Sequence, residues 1–160
     1  MAREFIAIPD QTVEPNADVL FGNGGYFQGI FHVGGSGLFK LASPNVAGIN
    51  NICPNRGFPI ANYPVSFHGN IYIPTGGTVE EISLALVQDG VVDASSQMLA
   101  TPAAVEVAEN VGTGIIVSVP WICRCANVAL RNTSTQAIVI QNGVLVINNP
   151  AFGFLREGVL

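Results

Sequence analysis

His32 and His68 are the only histidines in a chain of 160 residues that also carries three cysteines, Cys53, Cys123 and Cys125. Nucleophilic catalysis needs a serine or cysteine within hydrogen-bond reach of such a base. No Gly-x-Ser-x-Gly elbow is present, and Ser36, between Gly35 and Gly37, reads as a turn residue. Glycosidase chemistry needs two carboxylates facing each other across a cleft, whereas Glu80 and Glu81 are adjacent and point to opposite faces of a strand. Zinc would have to gather Cys123, Cys125, His32 and His68 without the paired Cys-x-x-Cys spacing that such sites favour. The glycine runs at 22–25 and 75–77 lack both the following helix and the lysine of a phosphate-binding loop. No catalytic, metal-ligating or cofactor-binding residues are therefore expected. Asn132-Thr133-Ser134 matches a glycosylation acceptor, but without a secretory leader it reads as a polar turn.

The elements that hold these residues are β-strands. In residues 62–91, two alternating runs flank a Pro-Thr-Gly-Gly turn and read as neighbouring strands of one antiparallel sheet. Tyr63, Val65, Phe67, Ile71 and Ile73 share one side of the first run, and Ile82, Leu84 and Leu86 one side of the second. Asp89-Gly90 supplies a hairpin turn. Short apolar runs before residue 42 are divided by Asn-Gly and Gly-Gly turns, and 42–59 reads as a long loop rich in proline and glycine. Residues 101–110 fit either a short helix, with Thr101 as cap and Pro102 in the first turn, or a strand carrying Val105 and Val107. Further strands are read around Ile115, Val117 and Val119 and around Ala126, Val128 and Leu130. The sum is an all-β antiparallel sandwich of roughly eight to ten short strands.

The last strand is apolar on both sides. Strict alternation puts Ile138, Ile140, Val144 and Val146 on one side and Ala137, Val139, Leu145 and Ile147 on the other. A solvated sheet face would alternate polar with apolar, so one side is expected to face the core and the other a second subunit. Val139, Leu145 and Ile147 are thus candidate interface residues, together with Trp121, His68 and Tyr72. Sugar stacking is another reading of Trp121, although a lone tryptophan beside a proline at a strand start is more often a packing residue.

Composition points the same way. Hydrophobic residues make up 49% of the chain, charged residues only 11%, and Lys40 is the sole lysine. Ordinary soluble domains are about a quarter charged, so a chain this poor in charge is expected to cover much of its exterior with copies or partners. A net charge of -5 with scattered arginines disfavours nucleic acid and anionic membranes. The start of the chain lacks the pattern of a secretory signal, which points to synthesis in the cytoplasm. The odd number of cysteines is read as reduced thiols, with a bridge from Cys53 to Cys123 or Cys125 left open.

Three stretches carry a family resemblance: FHGNIYIPTGGTVEEIS at 67–83, TPAAV at 101–105 and NTSTQAI at 132–138. Together with the strand order over residues 62–148, they resemble C1q/TNF-like jelly rolls of the small bacterial and bacteriophage type. The resemblance implies a homotrimer with inner sheets facing a threefold axis, and a non-enzymatic role outside a particle or cell. In phage this means a virion structural protein, either a capsid decoration or auxiliary protein or a head fibre, made in the host cytoplasm and bound to capsid or other virion proteins. The alternative is a bacterial cell- or spore-surface adhesin head that binds glycans. No collagen-like Gly-x-y stalk is expected ahead of the domain. The expected organisation is therefore a docking arm at 1–18 presenting Phe5, Ile6 and Ile8, a jelly roll at 19–148 and a tail at 149–160, with the 42–59 loop also available for docking.

Overall fold

The structure is a computed structural model that describes residues 2–27, 29–42, 58–120 and 125–155. Thirteen strands occur among these: β1 (Ala2–Ile6), β2 (Gln11–Val13), β3 (Gly25–Phe27), β4 (Ile30–His32), β5 (Phe39–Ala42), β6 (Phe58–Tyr72), β7 (Ile82–Gln88), β8 (Val91–Val92), β9 (Met98–Ala100), β10 (Glu109–Pro120), β11 (Cys125–Asn132), β12 (Ile138–Asn148) and β13 (Ala151–Leu155). One turn of 3-10 helix, Ala94–Ser96, separates β8 from β9. The first sheet runs β1-β12-β6-β10, with β2 also on β12 and β13 also on β6, and the second runs β3-β4-β5-β11-β7-β8, with β9 also on β7. Every pairing is antiparallel. The chain crosses between sheets after β2, β5, β6, β9, β10 and β11, which is the connectivity of a jelly roll.

Period-two patterning explains the core. Tyr63, Val65, Phe67, Ile71 and Ile73 face inward from the first sheet, and Ile82, Leu84 and Leu86 from the second, each essentially inaccessible. The expectation that these two runs pair is corrected here, because β6 and β7 lie in opposite sheets. Alternation specifies which side of a strand is buried, and two strands facing each other across a core carry the same pattern as two strands side by side. Pro74-Thr75-Gly76-Gly77 is a crossover between layers, with Gly76 at φ +89°. Residues 101–108 form turns and no helix.

The N-terminal residues are part of the sandwich. β1 pairs with β12, with Phe5 opposite Leu145, and β2 pairs with β12 through Val13 and Ile138. Phe5 is 1% exposed and meets Phe39 edge-on at 4.7 Å between ring centres. Burying such a side chain contributes about 2–3 kcal/mol, far more than a free arm could gain in water. The docking-arm assignment of residues 1–18, and of Phe5 within it, is corrected accordingly.

β12 contains a bulge that the alternation rule does not foresee. Gln141 pairs with Asn70 and Val144 with His68, so β12 spends one residue more than β6 between them. Asn142 adopts φ 53°, and Gly143 and Gly69 pack so closely that a Cβ on Gly69 would sit 2.8 Å from the Gly143 Cα. The extra residue reverses the phase of the strand. Ile138 and Ile140 face inward before it, Leu145 and Ile147 after it, and all four are fully buried. Leu145 and Ile147 are therefore core residues rather than interface residues; the outward set is Val139, Val144 and Val146.

Tyr63 closes the core at one end. Its hydroxyl donates to the Ala42 carbonyl at 2.7 Å, in space left by Gly29. Burial, reinforced by Tyr26 and Cys125, pushes this phenol up to about 12 from the usual 10. The folded state thus favours the protonated form, so stability is intact below pH 10 and falls as pH rises from 10 to 12. We expect a loss of up to about 2 kcal/mol across that window in urea titrations, on a scale of about 1.4 kcal/mol per pKa unit. Tyr63→Phe should flatten this part of the profile; an unchanged slope would show that another group causes it.

Candidate functional site

The residues that sequence marks for chemistry are used structurally. Ser36 donates its hydroxyl to the Val33 carbonyl at 2.7 Å in a turn. One Glu80 carboxylate oxygen accepts from Thr135 Oγ1 and Gln136 Nε2. His32 is 1% exposed and points inward, its ring stacked on Phe39 at 4.1 Å. Its Nδ1 and Nε2 face the Leu38 and Phe21 carbonyls at 2.9 and 3.3 Å. His68 lies on the outer side of the opposite sheet, and Cys125 is an exposed free thiol. Among the described residues no three His, Cys, Asp or Glu side chains are grouped to hold a metal, and no helix is long and apolar enough to cross a membrane. Cys53, Cys123 and Trp121 lie outside the described residues, as does the 43–57 part of the long loop.

Asn132 is a buried structural hub rather than an accessible acceptor. Its Nδ2 donates to the Val13 and Gln136 carbonyls, both at 2.9 Å, and its Oδ1 accepts from the Ser134 backbone at 2.8 Å. Ser134 Oγ in turn accepts from the Ser83 backbone at 2.7 Å. The NTSTQAI stretch thereby ties β2, β7, β11 and β12 together.

What remains as a site is the outer face of the first sheet. Because Tyr63, Val65, Phe67 and Ile71 point in, β6 presents Pro64, Ser66, His68, Asn70 and Tyr72 outward. Register places Ile116 beside Pro64, Gly114 beside Ser66, Gly112 beside His68 and Asn110 beside Asn70. On the other flank, Val146 lies beside Ser66, Val144 beside His68, Gln141 beside Asn70 and Val139 beside Tyr72. No Asp, Glu, Lys or Arg projects from this face of β6, β10 or β12; carboxylates stand at its rim, Glu4 opposite Val146 on the edge strand β1 and Asp10, whose Oδ1 accepts from Gln141 Nε2 at 3.5 Å.

Two pairs of polar groups on this face satisfy one another. Asn110 Nδ2 donates to Asn70 Oδ1 at 3.0 Å, and Ser118 Oγ donates to Asn62 Oδ1 at 2.6 Å. Such pairs leave fewer groups that depend on water. Where Gly114 removes a side chain, a groove of about 320 Å³ opens between Pro64, Ser66, Ile116 and Asn148. Ile116 stands at its wall, 67% exposed. Of the expected interface residues, His68, Tyr72 and Val139 occur together here, His68 exposed, Tyr72 half-buried and Val139 covered. Ile6, expected in the arm, ends β1 opposite Val144 and is 58% exposed, and Ile8 is half-buried just beyond it. Sequence reading missed Ile116 and the glycines Gly112 and Gly114. Their alternation with Val111, Thr113 and Ile115 is the signal that marks them as outward.

This two-sheet arrangement has known counterparts. The globular domain of zebrafish complement 1qA protein superposes with a TM-score of 0.57 at 12% identity, over 98% of each chain. Murine APRIL, a TNF-family protein, gives 0.56 at 5% identity, over 92% of this chain and 99% of that one. The fold is a C1q/TNF-like jelly roll. No protein-family model and no curated protein sequence matches the chain. At such identities the likeness is one of fold, and the jelly roll's function has to be argued from its own surface.

Proposed function

We propose that this chain is a non-enzymatic structural protein that assembles as a homotrimer through the outer face of its first sheet, on the surface of a phage virion. The observation that carries the assembly is the absence of charge across β6, β10 and β12 on that face. An exposed surface in a chain of -5 net charge would ordinarily carry charges of both signs, whereas the centres of interfaces are depleted of them. The half-buried valines Val144 and Val146, the exposed Ile116 and Ile6 and the groove at Gly114 supply apolar, shaped contact area. A twelve-residue β10 that ends its sheet among the described residues, carrying one charged residue, also calls for cover.

The virion reading, as a capsid decoration, auxiliary or head-fibre protein, is supported by the resemblance of residues 67–83, 101–105 and 132–138 to small bacterial and bacteriophage domains of this fold. A non-enzymatic role fits a surface whose histidines and carboxylates stand apart. Immunogold microscopy with antibody to the purified chain tests the placement. Regular labelling of phage particles is the expected result; labelling of cell envelopes or spores in their place would overturn it and favour the adhesin alternative.

A further inference from the structure

The outer face of the second sheet bears a different surface. Because Ile30, His32, Phe39 and Leu41 point into the core, their strand neighbours point away from it. Register then aligns one row across four strands: Tyr26 on β3 opposite Phe31 on β4, Phe31 opposite Lys40 on β5, and Lys40 opposite Asn127 on β11. Tyr26 is 71% exposed and Phe31 44%, and Val33 and Leu38 extend the apolar side one step along the β4–β5 hairpin. Lys40, the chain's sole lysine, is exposed and has no ion pair among the described residues. Beside it, Asn127 accepts nothing at its shielded Oδ1, and its backbone N–H donates to Asp89.

We propose that the row Tyr26–Phe31–Lys40 binds an anionic saccharide, with a sugar ring stacked on the aromatic pair and the acid group on the Lys40 ammonium. This goes beyond the assembly reading and does not rest on it, since it uses the opposite sheet. Three considerations select the occupant. Aromatic faces are electron-rich and attract the C–H face of a sugar ring, while an unpaired ammonium at the end of the row attracts an anion. At about 4.8 Å between strands, the row is about 10 Å from Tyr26 to Lys40, the span of a short oligosaccharide. Its apolar side chains expose roughly 400 Å², well short of the roughly 800 Å² per partner that a stable protein interface needs.

The test is native affinity electrophoresis of the full chain in gels containing polygalacturonate, alginate or hyaluronan, with dextran as the neutral control. A chain of net charge -5 is repelled by polyanions in bulk, so retardation in an acidic gel reports a local site. We expect retardation in at least one acidic gel and none in dextran. Tyr26→Ala and Lys40→Gln should each weaken it several-fold, up to about tenfold, the scale of one lost charged or stacking contact. Both variants should keep the oligomeric mass of the parent chain, which separates failure of this site from failure of the assembly. The proposal is overturned if no acidic gel retards the chain, or if retardation survives both substitutions. It is likewise overturned if poly-glutamate, an acidic polypeptide, engages the row and none of the polysaccharides does.

Discussion

Ile116→Lys and Ser66→Lys, singly or together, should reduce the particle from three times the chain mass to 16.8 kDa while leaving the fold intact. Ile116 is 67% exposed and Ser66 lies beside Gly114, so a lysine stem at either place has room in the isolated chain. In an assembly built on this face, each new ammonium enters the contact three times, among strands that carry no carboxylate on this face; Glu4 and Asp10 stand only at its rim. An unpaired charge buried in an interface costs about 3–5 kcal/mol, so association should weaken at least about a thousandfold. Light scattering coupled to size exclusion reads the mass, and far-ultraviolet circular dichroism confirms the β structure. An unchanged mass in the double variant would place the contact elsewhere.

Asn132→Ala should be the most damaging single change inside the chain. The amide supplies two donors to the Val13 and Gln136 carbonyls and one acceptor to the Ser134 backbone, all at 2.8 to 2.9 Å in a fully buried place. Removing it leaves three backbone groups without these partners, those of Val13 and Ser134 at buried bonds and that of Gln136 at a part-buried one. Each such group costs about 1–3 kcal/mol, partly recovered by relaxation, so a total loss of about 3–4 kcal/mol is expected. For a chain of this size that is a fall in Tm of about 10 °C. Urea denaturation measures it; a loss below about 1 kcal/mol would mean that the NTSTQAI stretch is held by other contacts.

The residues that reveal the sandwich in sequence are those whose alternation is unbroken. β6, β7, β10 and β11 show their buried sides directly, and the turn at Asp89-Gly90, with φ 50° and 82°, is where its residues place it. The resemblance carried by residues 62–148 supplies the jelly-roll connectivity that alternation cannot, since alternation does not say which of two sheets a strand joins. The errors share that physical origin. β6 and β7 look like a hairpin because opposed layers bury the same period. β12 is out of phase beyond Asn142 because one bulged residue turns every later side chain over, moving Leu145 and Ile147 into the core and Val144 and Val146 out of it.

Short elements hide for another reason. β1 and β2 have five and three residues, too few for a period to stand out, and Phe5 declares itself only through the ring cluster with Phe39 and His32. His32 reads as polar, yet its flat ring packs like an aromatic while two carbonyls face its nitrogens. The candidate face is half legible in the sequence: His68, Tyr72 and Val139 stand out by type and position, but Ile116 and the Gly114 groove emerge only once β10 is laid against β6. The Tyr26–Phe31–Lys40 row lies across three strands and has no trace in any single stretch of sequence.

Sedimentation equilibrium of the unmodified chain over a wide dilution series is the most direct test of the assembly on the uncharged sheet face. A mass that holds at three times 16.8 kDa down to low micromolar concentration is the predicted result. A well-behaved species of 16.8 kDa at every concentration would contradict it.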